Sequence, residues 1–384
     1  MKKFLDCISI VGATPSKFHG TKKYISTGAV ATTEIDESEV VEVTYEDRPS
    51  RANLSAEAGD ILFAKMQGTR KTLLLDSETE KNIYSTGFYA VRANPEVITT
   101  ECLYYLIDSE LFLAQKDRNC SGATQKAITN GGMAKIEISV PPLSEQGILV
   151  DKLKHLTQLI ADKKKQLNLF DEIIKSRFIE MFGDPKRNPR KWDMVTVGDI
   201  ATDVRYGTSR PATEGGKYPY LRMNNLTYEG YLDLTDLKHI DIPDNEVEKC
   251  VVRNGDVLFN RTNSVELVGK TCVYNLDSDM IIAGYIIRVR IDDRVLPVIL
   301  SSYLNSTVMK EQLRSMAKGA VNQANINAQE LRSIPIYLPP ITLQHEFATF
   351  VEQVDKSKFY IIQMQILLRL LIRAIQQKTT EVLL

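Results

Sequence analysis

The sequence is short of the residues from which reactive centres are made. Its 384 residues hold five cysteines (Cys7, Cys102, Cys120, Cys250 and Cys272), an odd number with no Cys-x-x-Cys pair among them. That count and spacing argue against a disulfide framework and a thiolate zinc site, and favour free thiols in a reducing compartment. The four histidines, His19, His155, His239 and His345, are scattered without ligand spacing. Neither sign of charge dominates: 48 Lys and Arg against 49 Asp and Glu leave a net charge of −1. No global basic field therefore draws the chain to nucleic acid, and any such contact has to come from local patches. Uncharged apolar runs of the ~20 residues that span a bilayer are missing as well. The most apolar helical stretch, 366–375, is broken by Arg369 and Arg373, and Asp6 interrupts the apolar start at Phe4 and Leu5. A soluble, cytoplasmic protein is expected.

Catalytic frames are missing too. Val268-Gly269-Lys270-Thr271 ends like a phosphate-binding loop, but Ser264 stands where the first glycine belongs. His345-Glu346 is followed by Thr349 rather than a second histidine, and Pro243-Asp244 has no acid-x-Lys triplet close behind it. Asn188-Pro189-Arg190-Lys191 is not the Asn-Pro-Pro-Tyr of base methylation. No catalytic residue, metal ligand or cofactor site is assigned to this chain, and it is read as a non-enzyme.

What the sequence does have is itself, twice. Gly59-Asp60-Ile61-Leu62-Phe63-Ala64-Lys65 returns as Gly255-Asp256-Val257-Leu258-Phe259-Asn260-Arg261, a shift of 196, and Val140-Pro141-Pro142-Leu143 returns as Leu338-Pro339-Pro340-Ile341, a shift of 198. A unit this long is a duplicated module rather than a solenoid repeat. Each copy reads as mixed α/β: strands at 60–64, 88–91 and 136–140, with a helix over 103–115, answered by strands at 257–259, 285–287 and 334–338 and a helix near 300–316. After each Pro-Pro pair comes a heptad stripe. The first runs through Leu149, Leu153, Leu156, Ile160, Leu167, Phe170, Ile174 and Met181, with Ser144 as the expected N-cap. The second runs through Phe347, Val351, Val354, Ile361, Leu368, Ile372, Ile375 and Val382. Such stripes seek a partner helix, and a helix of ~40 residues is ~60 Å long. The two are expected to pair antiparallel and project from the domains. The expected boundaries are a first domain over 1–143, a central helix over 144–183, a linker over 184–191, a second domain over 192–341 and a terminal helix over 342–384.

Three loops in each copy are polar and differ while their flanking strands match. In the first copy the candidate DNA contacts are Ser26 and Thr27, then Lys65, Gln67, Arg70 and Lys71, then Gln125 and Lys126. In the second they are Arg222, Asn224 and Asn225, then Asn260, Arg261, Thr262 and Asn263, then Asn322, Gln323 and Asn325. These side chains grip phosphates and read base edges. A shared scaffold with divergent loops suits two readers of different sequences.

The order of these motifs, repeated, resembles the specificity subunit of type I restriction–modification systems. The resemblance is carried by Trp192 through Ile200, Gly-Asp-[Ile/Val]-Leu-Phe in both copies, the Gly122 and Gly319 loops, Pro141 through Gln146, and Phe178 through Pro185. It implies two target-recognition domains reading the halves of a bipartite double-stranded DNA site, with helices that set the spacing and dock two methyltransferase subunits. Restriction subunits would complete the complex, and S-adenosylmethionine, ATP and Mg2+ would belong to those partners. A coiled-coil adaptor with protein- or glycan-binding ends, or the specificity subunit of another restriction type, are the alternative readings. One departure stands out: at a shift of 196 the counterpart of Trp192 falls before Met1, so the first copy is expected to start near the equivalent of Ile200, without its opening strand.

Overall fold

The computed structural model describes residues 1–320 and 323–381, with side chains for 1–317 and 324–377. Asn322 and Val382 therefore lie outside the described residues, as does the side chain of Gln323. The fold divides into two compact units, Met1–Lys164 with Ile362–Leu384, and Lys165–Ile361. Each contains one mixed α/β domain and a segment of each long helix.

The two domains share one topology. In unit 1 an antiparallel sheet runs Ile8–Val11, Phe88–Ala93, Ile61–Ala64, Thr72–Leu74, and a mixed sheet runs Val41–Val43, Lys22–Ile25, Ile83–Ser85, Ala52–Leu54. Unit 2 repeats both orders with Ala201–Tyr206, Ile286–Ile291, Val257–Asn260, Thr271–Val273, and with Lys238–Ile240, Tyr218–Leu221, Met280–Ile282, Val251–Val252. The repeated Gly-Asp motif is structural. Gly59 and Gly255 take φ of +88° and +92°, which disfavours any side chain. The aspartates that follow are buried and accept from an arginine on the neighbouring strand, Asp60 from Arg92 Nε at 2.6 Å and Asp256 from Arg290 Nε at 2.9 Å.

The expected loss of the opening strand is overturned. Lys2–Lys3 pairs antiparallel with Glu137–Ile138, as Asp193–Thr196 pairs with Pro335–Leu338. Phe4 N donates to Ile136 O as Val197 N donates to Ile334 O. Aligned through these bonds, Lys2 answers to Val195, so the strand is shorter but present. The error came from carrying one shift across a stretch where the copies differ in length. The strand expected over 136–140 is likewise confined to Glu137–Ile138. The helices expected over 103–115 and 300–316 are each two helices. Ser109 and Ser306 cap the second of each pair through their hydroxyls, which stops one helix and starts the next. Leu111 is consequently exposed while Phe112 is buried.

The long helices run Leu143–Phe182 and Ile341–Glu381. Gly183, at φ +88°, ends the first, and the Trp192 indole donates to the carbonyl of Phe182 at 3.0 Å. Ser144 lies inside the first turn rather than capping it. The sequence reading missed the residue that fixes each start. Buried Gln146 donates to Val97 O and Pro141 O and accepts from Thr99 N, and Gln344 does the same with Arg294 O, Pro339 O and Leu296 N. In unit 2 the helix segments run antiparallel. There the Phe178 and Phe182 rings meet Phe347 at 5.4 and 5.5 Å, and Lys358 binds Asp171 at 2.5 Å. In unit 1 Gln365 donates to Ile160 O at 3.3 Å. The stripe is not wholly a helix–helix seam. Leu149 packs against the core of the first domain, and Ile174, Phe347 and Val351 belong with the core of the second. Leu153, Val354 and Ile361 are buried, whereas Leu156, Ile160, Leu167, Leu368 and Ile372 are half-buried. By length and composition alone, the second helix over Ile341–Gln377 is apolar enough to cross a bilayer, a longer stretch than the ten residues singled out above.

Candidate nucleic-acid interface

The strand that follows the Gly-Asp pair delivers one cation to the same place in both domains. Lys65 and Arg261 stand at the ends of Ile61–Ala64 and Val257–Asn260, and the carbonyl of each accepts from an isoleucine, Ile128 N and Ile326 N, at 2.9 Å. That bond joins the polar loop after the strand to the amide-rich turn. In domain 1 the junction continues through Gln67 N to Lys126 O, and in domain 2 through the pairing of Thr262 with Asn325 and Asn263 with Ala324. Gly122 makes the first of these turns possible, because a Cβ there would meet Gln125 O at 2.3 Å. The third loop is tied in by a lysine on the returning strand. Lys71 Nζ donates to Thr27 O, and Lys270 Nζ donates to Met223 O. Three loops distant in sequence thus form one cluster in each domain.

The cluster sorts the predicted residues by what their polar atoms already do. Asn225 is buried, its carbonyl accepting from Arg222 N and its amide donating to Asp233 O. Asn260 is buried and donates to Thr262 O and Tyr285 O, while Thr262 donates to Asn325 Oδ1. Asn263 donates to Asn260 and accepts from Ser264 N. These groups hold loop shape, and a base could be read by them only at the cost of those bonds. Arg70 is paired with Asp108 at 2.9 Å and Arg222 with Asp236 at 2.6 Å. The ion pair raises Arg70, yet Asp108 is also raised, because burial of its carboxyl outweighs the nearby guanidinium. Gln67 is exposed but its amide donates to Asp117 O. Ser26 accepts from Ala29 N, and Thr27 is half-buried beside it.

What remains open to a ligand is a smaller set. Gln125, Lys126 and Asn224 are exposed. Lys65, Lys126 and Arg261 have no carboxylate partner among the described residues. Lys65 Nζ stands 4.3 Å over the Tyr89 ring, and the Arg261 guanidinium stands 4.9 Å over Tyr206. Burial holds Lys65 below the usual lysine range. Cation over aromatic ring, unneutralised and beside an amide-rich turn, is a chemistry that can grip a phosphate or stack and read a base edge. Tyr89 and Tyr206 were missed from sequence because they sit inside strands with nothing to mark them. Lys116 was missed too. It is buried on a helix and donates to Ala64 O, Met66 O and Thr69 O, holding the Lys65 loop from behind. Burial lowers its pKa.

The chain thus holds two duplicated α/β domains with matched scaffolds and divergent loop clusters. The profile of the type I restriction modification DNA specificity domain matches residues 10–169 and 189–371. The chain belongs to that family. It is 24% identical over 283 residues to the type I restriction enzyme EcoKI specificity subunit of Escherichia coli strain K12, a match covering 70% of this chain and 61% of that one. It is 28% identical to the MjaX specificity subunit of Methanocaldococcus jannaschii, itself described as putative, over 44% of this chain and 40% of that protein. The chain therefore spans less than two thirds of the length of these relatives. A solved chain from work on complex assembly and conformational transition of the type I R-M system has the same fold, at 23% identity and a TM-score of 0.57, over 98% of this chain and 96% of that one.

Proposed function

We propose that this chain is a sequence-specificity subunit of a type I restriction–modification complex, with each domain reading one half of a bipartite DNA site. The observation that carries the reading is the equivalent placement of Lys65 and Arg261, each without a carboxylate partner among the described residues, each over a tyrosine, and each bonded to the corresponding amide-rich turn. Phosphate contacts from Lys126 and backbone N–H groups would position the duplex, and Arg261, Asn224 and Gln125 would meet base edges. In this reading the subunit performs no catalysis. The long helices set the half-site spacing and dock two methyltransferase subunits, and those partners together with restriction subunits bring S-adenosylmethionine, ATP and Mg2+. The place of work is the cytoplasm.

The test is co-expression with the cognate methyltransferase subunits, followed by mapping of methylated adenines across a genome lacking other such systems. Two short fixed sequences separated by a gap of constant length are expected. A single uninterrupted motif, or no methylation from a properly assembled complex, would sink the proposal.

A further inference from the structure

The strand ends that carry Lys65 and Arg261 match in backbone and differ in what lies beneath the cation. Lys65 N donates to Gly87 O and Arg261 N to Tyr285 O, both at 2.9 Å, so Gly87 answers to Tyr285. Leu62 faces Ala90 as Leu258 faces Arg288, and these pair in turn with Val11 and Arg205. The residues that follow, Gly12 and Tyr206, therefore correspond. Domain 1 has no room for a ring there: Gly12 takes φ of +95°, and a Cβ would meet Leu54 Cδ1 at 2.6 Å. Tyr89, the ring under Lys65, answers instead to buried Ile287. The platform beneath Arg261 thus belongs to domain 2 alone.

Tyr206 is fixed, its hydroxyl accepting from Ala328 N at 2.8 Å, and the Arg261 guanidinium lies 4.9 Å over its ring. Of the three Arg261 side-chain nitrogens only Nε is shut off from solvent, and none has a hydrogen-bond partner among the described residues. Two coplanar donors are left facing outward from a fixed ring. The side chains bonded together beside them, Asn260, Thr262, Asn263 and Asn325, are neutral. A phosphate grip gains from clustered cations, whereas O6 and N7 of guanine call for one held fork. The ammonium of Lys65 is a point charge without that fork.

From this arrangement we propose that domain 2 reads a guanine in the major groove, with the two terminal nitrogens of Arg261 donating to its O6 and N7 and Tyr206 positioning the guanidinium plane. The inference rests on the reading of domain 2 as the reader of one half-site.

The test uses the chain assembled with its methyltransferase subunits and duplexes of the mapped motif. Each guanine in turn, in either half, is replaced by 7-deazaguanine, which lacks the N7 acceptor. At one guanine the replacement should weaken wild-type binding roughly tenfold, and at that guanine it should cost nothing further in Arg261→Ala. Arg261→Lys keeps the charge and should lose most of the same discrimination. Tyr206→Leu should reduce the N7 penalty, and a penalty as large as in wild type removes Tyr206 from the proposal. A bipartite motif without guanine on either strand, or equal N7 penalties in wild type and Arg261→Ala at every guanine, overturns the guanine assignment and leaves the two-half reading standing. So does an Arg261→Ala loss that is uniform across sequences and lowers the salt slope by about one, as a phosphate contact would. Absence of a bipartite motif overturns both.

Discussion

Asp256 accepts from Arg290 Nε at 2.9 Å and from the backbone N–H of Arg253, also at 2.9 Å, while only 4% of its surface is exposed. The carboxylate therefore locks the turn that launches the Arg261 strand to the strand beside it. Asp256→Ala leaves a backbone donor and a guanidinium without their acceptor. Losses of 3–5 kcal/mol are typical for breaking fully buried pairs, and the 30% exposure of the Arg290 side chain reduces this to about 2 kcal/mol. Urea unfolding should show the midpoint fall by the corresponding amount. An unchanged midpoint would remove the Gly-Asp motif from the scaffold.

The two domains should be separable by mutation. Arg261→Ala should cost about 1–3 kcal/mol in DNA affinity and relax the sequence read by domain 2 alone. Lys65→Ala should act on the other half-site alone. Methylation mapping of each variant gives the readout, and loss of both half-sites together from either substitution contradicts two independent readers. Asn263→Ala is expected to act through loop shape, since its amide is already bonded to Asn260 and Ser264.

Burial pushes Lys310 down to about 8, with its ammonium donating to Tyr228 O. The unfolded lysine titrates near its ordinary 10.5. Between these values the unfolded chain holds more protons than the folded one, so this group makes stability rise with pH across that window. Below about 8 both states are charged and the burial cost is present in full. Subtracting the pH–stability curve of Lys310→Met from that of wild type should give a difference that rises between pH 8 and 10.5 and is flat below. A flat difference throughout means that Lys310 is not desolvated.

Gln146→Leu and Gln344→Leu each remove the acceptor of a part-buried backbone N–H, that of Thr99 or of Leu296. About 1–3 kcal/mol is expected for each. Hydrogen exchange should accelerate at Thr99 in one variant and at Leu296 in the other. Exchange that stays slow at both sites would show that the glutamines do not fasten the helices.

Much of the scaffold was legible in the sequence because it repeats. Gly-Asp before an apolar run, Pro-Pro before a stripe and Gly183 after one each have a local physical meaning. The opening strand was not legible, because Lys2 and Lys3 carry no strand signal and only their bonds to Glu137 and Ile138 make them one. Nor were the helix breaks at Ser109 and Ser306, where a capping serine sits amid continuous apolar spacing. In the candidate site, residue type identified polar loops but could not tell a free amide from an occupied one. Asn225 and Asn260 look like Asn224 on paper and differ only by burial.

The lysine that ties in the third loop sits on the returning strand, beyond the variable stretch. Phe63 pairs with Thr72, and Phe259 with Thr271, so the second hairpin is three residues longer, yet Lys71 and Lys270 still reach the corresponding carbonyls. The stretch between cation and lysine is thus a slot of adjustable length whose two ends are pinned independently. Residues can be gained or lost there without uncoupling the neighbouring loop, which leaves the loop surface free to drift while the frame that carries it stands still.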